Sequence, residues 1–260
     1  MSAVVVSDHY LCISRCGQPL NRKPYLTACA GNCKNRGPQT GLEWSCFEKG
    51  FRIVATDKWA NPQAMWDERY SEVEPVYGTK PNAYLEENSR RLKPVAKILV
   101  PADGYGRNGL WLARQGFRVH TADLSPVGVE RARKAAQAAG LTMKIEQADL
   151  AAWKWPVADY DGVAAIFLHL PPAAREKVHA GMLRALKPGG ILIFEAFSRA
   201  QLKFSTGGPK DVALLYTQEQ LRNDFAGTEV LELEEAELYM DEGHKHSGLS
   251  AVVHGVFRTR

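Results

Sequence analysis

The stretch that most restricts how this chain can fold runs from Ile98 to Pro126, ILVPADGYGRNGLWLARQGFRVHTADLSP. It opens with a short apolar run, Ile98-Leu99-Val100, of the kind that forms a strand buried on both faces. A bend containing Gly104 and Gly106 follows, then a helical segment, then a second strand, Phe117 to Ala122, that ends on Asp123. Glycines at such a bend let backbone N–H groups approach an anion or polar ligand closely, at the positive end of the next helix. Asp123 lies 19 positions beyond Gly104, where an acid can accept hydrogen bonds from both hydroxyls of a ribose. The stretch reads as half of a nucleoside-cofactor site.

At 260 residues the chain has room for one α/β domain with a substantial core plus an appendage. Its apolar runs are shorter than the ~20 residues of a membrane span. The opening MSAVVVSDHY lacks the basic and long apolar segments of a secretory signal, which predicts a cytoplasmic protein with no membrane partner. Charge is uneven: residues 1–64 carry eight Lys/Arg against four Asp/Glu, a net of 8 − 4 = +4, whereas residues 65–260 carry 25 of each. The larger part therefore offers no electrostatic case for nucleic acid.

All five cysteines, Cys12, Cys16, Cys29, Cys33 and Cys46, fall in the first 46 residues. That segment shows no clear strand or helix periodicity and is rich in Asn, Gly, Pro and Lys. The two CxxxC pairs match a structural zinc site in ligand type but are looser than CxxC, and a disulfide conflicts with a cytoplasmic setting. The expectation is a poorly ordered or non-catalytic extension over 1–64, no metal, and a catalytic domain over 65–260, with Met65 as a candidate natural start.

Gly104-Tyr105-Gly106-Arg107-Asn108-Gly109 satisfies GxGxxG, so a dinucleotide has to be considered. In that pattern the first glycine normally follows the strand directly; here Pro101-Ala102-Asp103 intervenes. The segments that follow separate the alternatives. A third strand, MKIEQADL, ends on Asp149-Leu150, a carboxylate and a backbone N–H suited to an adenine edge. A fourth, YDGVAAIFLHL, stays apolar through Phe167 and ends in a loop with His169. A helix then leads through Lys187-Pro188-Gly189-Gly190 into ILIFEAF. In this order the features resemble the class I S-adenosylmethionine-dependent methyltransferases. More narrowly, the chain looks like the small bacterial tellurite-resistance and thiopurine-type enzymes (methyltransferase domain 25-like), through MWDERYSE, YGTKPN, GYGRN, TADLSPVGVERAR, LKPGG, STGGPKD and EGHKHSGLSAVV. One departure stands out: that family's first strand commonly ends in Asp followed by GCG, and here the carboxylate moves to Asp103.

The resemblance implies a doubly wound, Rossmann-like sheet of about seven strands with helices on both faces, S-adenosyl-L-methionine as cofactor, and a ligand at the carboxyl ends of the strands. Residues 229–239 and 249–258 alternate as the arms of a C-terminal antiparallel hairpin. Asp123 and Leu124 are assigned to the ribose, Asp149 and Leu150 to the adenine, and Asp103, Gly104, Gly106 and Arg107 to the methionyl end. Trp66 and Phe167 complete the cofactor side. Tyr70 and Tyr77, in a lid segment, and Thr206-Gly207-Gly208 are assigned to the acceptor, with His169 and His246 as candidate catalytic groups. His120, His179 and His254 read as structural or exposed.

Methyl transfer from a sulfonium needs alignment and exclusion of water more than it needs a base. A thiol, with a reference pKa of about 8.5, requires slight help and an alcohol much more. No strong base constellation stands out, and the Asp/Asn-Pro-Pro-aromatic signature of amino-group methylation is missing. Together with the resemblance, this points to a small, soft acceptor: a thiol, sulfide or other chalcogen compound. The expected partners are that acceptor alone, with the protein a monomer or weak homodimer. Two other classes stay open on the sequence, an NAD-dependent oxidoreductase and a non-catalytic cofactor-binding regulator.

Overall fold

The structure, a computed structural model, describes residues 61–260 continuously and, before them, four short strands: β1 (Val4–Ser7), β2 (Tyr10–Ile13), β3 (Glu43–Cys46) and β4 (Phe51–Val54). The chain divides into two compact units, Met1–Met65 and Trp66–Arg260. In the first, the strands form an antiparallel sheet in the order β1-β2-β4-β3. The sequence shows no strand periodicity there. With four residues, each strand sends only two side chains to either face, too few for an alternating pattern to emerge. The cysteine side chains, and with them the zinc and disulfide readings, lie outside the described residues.

Next come α1 (Pro62–Tyr70), α2 (Ala83–Asn88), β5 (Lys97–Pro101), α3 (Arg107–Arg114), β6 (Arg118–Asp123), α4 (Pro126–Ala138), β7 (Lys144–Gln147) and β8 (Tyr160–Ile166). They are followed by α5 (Pro172–Ala185), β9 (Leu186–Phe197), α6 (Gln218–Asp224), β10 (Glu229–Asp241) and β11 (Ser247–Arg258). The seven strands of the larger unit form one sheet, β10-β11-β9-β8-β5-β6-β7. β5 to β9 are parallel, and β11 and β10 add antiparallel at the β9 edge. This is the doubly wound sheet with a terminal hairpin that the sequence predicts.

Period-two alternation splits each central strand between two cores. Ile98, Val100, Ala164, Ile166, Ile191 and Ile193 pack with Leu85 of α2 and Leu112 of α3. Leu99, Val163, Ala165, Leu192 and Phe194 pack with Val178 and Met182 of α5 and Leu221 of α6. Local signals set the helix starts. Ser125 Oγ accepts from Gly128 N ahead of Pro126 in α4, and Asn82 Oδ1 accepts from Leu85 N in α2. β9 begins five residues before ILIFEAF, because Leu186 pairs with Tyr160 and the Gly189–Gly190 segment bonds to Thr259.

Running outward from β5, successive strands go one way to β6 and β7 and the other way to β8 and β9. The crevice at the carboxyl ends of β5 and β8 is therefore the topological switch point, where such sheets bind ligands.

Candidate active site

Backbone strain marks that crevice. Ala102 and Phe167, the first residues beyond β5 and β8, have φ of 56° and 52°, left-handed values rarely adopted by non-glycine residues. Each still donates its N–H across the sheet at 2.7 Å, Ala102 to Ala122 O and Phe167 to Glu195 O. The chain thus turns sharply while the last sheet bond holds. Strain of about 1–3 kcal/mol per residue, kept in place by a surrounding structure, clusters at functional sites.

The glycine turn packs more tightly than its sequence suggests. Gly104 has φ 57°, and a Cβ there would lie 2.6 Å from the Tyr70 hydroxyl. A Cβ on Gly128 would lie 2.9 Å from the same ring. Gly104 and Gly128 therefore make room for Tyr70, and Gly106 (φ 90°) makes room for Ala132 of α4. Asp123 ends β6 as expected. Its Oδ2 accepts from Gly104 N and its Oδ1 from Ser125 N, both at 2.8 Å, so it ties the glycine turn to the start of α4. Burial pushes its carboxyl up to about 6 against these two bonds, with Asp67 adding to the rise. Asp103 Oδ2 accepts from Gly109 N at 3.0 Å, whereas Oδ1 is buried without a partner among the described residues. Burial, then the neighbouring Asp123, push its carboxyl to about 8 against the Gly109 bond. An orphaned acceptor beside a second buried acid is a donor set matched to a cation or to hydroxyl donors, and the methionyl ammonium and ribose of S-adenosylmethionine supply both.

α1 covers this turn. Trp66 stacks on Tyr70 with ring centroids 5.5 Å apart, and Tyr70 meets Tyr105 edge-on. Asp67 accepts from Ser125 Oγ. Arg131 of α4 donates to the carbonyls of Tyr70 and Glu72, both at 2.6 Å, and so closes the carboxyl end of α1. The Tyr105 hydroxyl accepts from Tyr77 N and donates to Gly78 O, which fixes the YGTKPN loop against the glycine turn.

The other side of the crevice is aromatic. The His246 ring, 6% exposed, lies 4.5 Å from Tyr77, 4.7 Å from Phe167 and 5.1 Å from Phe197, centroid to centroid. Gly207 and Gly208 close over it: a Cβ on Gly207 would sit 3.1 Å from His246 Cδ2, and one on Gly208 2.7 Å from the Phe197 ring. Burial lowers the His246 pKa and keeps the imidazole neutral, although Glu242 opposes this. Glu242, in the β10–β11 turn, is paired with Arg107 Nη2 at 2.7 Å. Burial works to raise its pKa, but His246 and Arg107 hold the carboxyl below its usual range. Arg107, assigned from sequence to the methionyl end, is itself buried and spends its guanidinium on Glu242 and on Lys80 O.

Asn82 ties these parts together. Its Nδ2 donates to Glu195 at 2.6 Å and Glu242 at 2.9 Å, and its N–H donates to Asn108 Oδ1. Behind Glu195, His254 bridges to Glu234 and stacks on Tyr84; burial opposes its charge, but the two carboxylates raise its pKa. Glu195, Glu242 and Asn82 were not singled out from sequence. Glu195 interrupting ILIFEAF, and Glu242 four residues before His246 across Gly243, were the available signals. Asn82 left none beyond its capping position.

Other expected site residues are engaged by local partners. Both ring nitrogens of His169 face backbone: Nδ1 donates to Leu214 O at 2.8 Å, and Phe197 N approaches Nε2 at 3.5 Å. Burial lowers its pKa to about 4. Thr206 Oγ1 is engaged with Leu249 O and Ser250 Oγ, so its hydroxyl braces the loop. Asp149 is exposed and accepts from Ala151 N, while Leu150 is buried with its carbonyl taken by Trp155 Nε1. Leu124 is half-buried next to Asp123. Among the described residues, no helix is long and apolar enough to cross a membrane.

Residues 98–190 match a family model described as a methyltransferase domain. Over 99 residues the chain is 36% identical to an S-adenosyl-L-methionine-dependent Diels-Alderase of Talaromyces variabilis; this covers 36% of the chain and about a third (34%) of that relative. It is 28% identical to the thiopurine S-methyltransferase of Pseudomonas entomophila (strain L48) over 225 residues, covering 75% of this chain and 97% of that protein. The fold is similar, with a TM-score of 0.62 and 22% identity, to a solved structure concerned with conversion of a disulfide bond into a thioacetal group during echinomycin biosynthesis. That match covers 76% of this chain and 92% of the other.

Proposed function

We propose that this chain, a member of the class I S-adenosylmethionine-dependent methyltransferases, methylates a small acceptor through a soft nucleophile, a thiol or related chalcogen. The observation that carries this reading is the neutral imidazole of His246 enclosed by Tyr77, Phe167 and Phe197. An aromatic, poorly hydrated enclosure suits a polarisable sulfur better than a strongly hydrated amine or alcohol. A neutral imidazole can also accept a proton, and a thiol needs only slight help to lose one. The similarity to a thiopurine S-methyltransferase supports the same acceptor class.

When bound, S-adenosylmethionine supplies an electrophilic methyl group on a sulfonium. In this reading Asp123 accepts from the ribose hydroxyls, Asp103 Oδ1 takes the methionyl ammonium, and Asp149 with the Leu150 N–H meets the adenine edge. Trp66 and Tyr70 exclude water from above, and Phe167 separates the two substrates. Tyr77 and the Gly207–Gly208 loop hold the acceptor against His246. A panel of alkyl and aromatic thiols, sulfide, selenite, tellurite, amines and phenols, scored by S-adenosylhomocysteine release, tests the assignment. Turnover concentrated in the sulfur and heavier chalcogen compounds is expected. Turnover restricted to amines or phenols rejects it.

A further inference from the structure

We propose that Glu242 is the positioning residue of this site: its carboxylate, clamped by Arg107 and Asn82, sets the tautomer of His246 so that Nε2 is left as the proton acceptor. The inference rests on the reading of the His246 enclosure as the acceptor side. Glu242 Oε2 lies 3.7 Å from His246 Nδ1, and Nδ1 is buried with no hydrogen-bond partner among the described residues. A carboxylate facing a bare nitrogen lone pair in so enclosed a place is repulsive; a proton on Nδ1 makes the contact favourable. The lone pair then belongs to Nε2, on which no hydrogen bond falls among the described residues. Catalytic contacts of this length are common in free sites and tighten in loaded ones.

The clamp holds Glu242 from two directions. Arg107 Nη2 bonds to Oε2 at 2.7 Å, and Asn82 Nδ2 bonds to Oε1 at 2.9 Å. Gly243, directly after Glu242, is wedged so closely that a Cβ would lie 2.4 Å from Gly78 N and 2.6 Å from Val76 O. The carboxylate therefore cannot swing away while its own turn stays docked. The division of labour matches an acid that orients a base without itself taking the proton.

With a thiol acceptor, the S–H proton moves to Nε2 and the sulfur lone pair forms the new S–CH3 bond. The electron pair of the broken C–S bond leaves on S-adenosylhomocysteine. The resulting imidazolium faces Glu242 until its proton passes to solvent. The other charged or titratable groups around the ring are Arg69 of α1, Tyr77, Arg107 of α3 and His169, with Glu195 and His254 behind Asn82. Arg69 and Arg107 both disfavour imidazolium, so the Glu242 carboxylate is what makes proton acceptance feasible.

The first test needs no turnover. Nitrogen-15 NMR of His246 in the S-adenosylhomocysteine complex should show the Nδ1–H tautomer, and Glu242→Gln should shift the population toward Nε2–H with cofactor affinity within about twofold. The second uses 2-mercaptoethanol and 4-nitrothiophenol, the latter already ionised at pH 7. Glu242→Gln should lower kcat at least tenfold for the alkyl thiol at pH 7, with the deficit shrinking toward pH 9, and less than twofold for the aromatic one. Glu242→Asp, which keeps the charge for Arg107, should recover part of the loss and guards against a folding defect in the Gln variant. An unchanged tautomer, or an equal deficit for both thiols at every pH, overturns the proposal. Failure of the wild type to use any thiol, together with a tautomer shift in Glu242→Gln, rejects the acceptor class and leaves the positioning role intact.

Discussion

Asp103 and Asp123 are neighbouring buried acids that accept from backbone N–H groups at the glycine turn and the helices that follow, and they differ in what they leave open. Asp123 is held by two backbone N–H groups and keeps further lone pairs, which we propose meet a ribose. Asp123→Ala should weaken S-adenosylmethionine binding by about 1.5–3 kcal/mol, the range for hydrogen bonds to a charged group. Unchanged affinity by calorimetry in a folded variant contradicts the ribose assignment. Asp103, with its carboxyl raised to about 8, works the other way. A folded pKa above the unfolded value of about 3.9 gives stability that is complete below pH 4 and is lost as pH rises toward 8. Asp103→Asn cannot lose that proton. Its melting temperature relative to wild type should therefore climb between pH 5 and pH 8 in the free protein. Saturating S-adenosylmethionine should narrow the gap, because the methionyl ammonium compensates the wild-type carboxylate. Parallel melting curves across that pH range count against a buried, cofactor-paired Asp103. Of these facts, the place of Asp123 could be read from the strand-ending pattern. The orphaned oxygen of Asp103 could not, because burial is a property of the packed turn.

At the scale of elements, the site is made where irregular ends meet: the strained exits of β5 and β8, the lid helix α1 and the β10–β11 turn. The hairpin was legible from alternation in EVLELEEAELY and LSAVVHGVFR, but the chemistry of its turn was not. His246 was visible beside its glycines. Glu242 gains its role only when the turn docks on the Tyr77–Gly78 loop, more than 160 residues earlier in the chain. Gly243 is the hinge of that docking, with φ 79° and three backbone atoms within 2.7 Å of any added Cβ. Gly243→Ala should cost about 2 kcal/mol or more, from left-handed strain plus displacement of the loop. It should raise KM for the acceptor more than it changes affinity for S-adenosylhomocysteine. Thermal melting and calorimetry would check this, and a neutral effect on both would mean the turn is not docked in solution. His169 shows the converse. A histidine after the fourth strand reads as catalytic, yet here its two nitrogens face backbone and it braces the turn toward Leu214.

For the whole molecule, we propose that the methyltransferase part is self-sufficient. A chain beginning at Asn61 should fold and release S-adenosylhomocysteine as the full chain does. One beginning at Met65 removes the first turn of α1 and the Asn61 side chain that caps Ala64 N, at a cost of about 0.5–2 kcal/mol to that helix. Loss of folding or turnover in the Asn61 chain would make residues 1–60 integral to the enzyme. The resemblance carried by its motifs implied the doubly wound sheet and the cofactor; the amino-acid order by itself determined the alternation of strands and helices, the glycine turn and the acid that ends β6. These depend on periodicity, turn residues and spacing, which act over a few neighbours in the chain. Only the tertiary structure decided that His246 is enclosed by Tyr77, Phe167 and Phe197 while His169 faces backbone, that Arg107 is spent on Glu242, and that Asn82 joins Glu195 to Glu242. Those outcomes depend on which groups packing brings within hydrogen-bond reach and strips of water. Desolvation and close contact between residues more than a hundred positions apart leave no trace in local sequence.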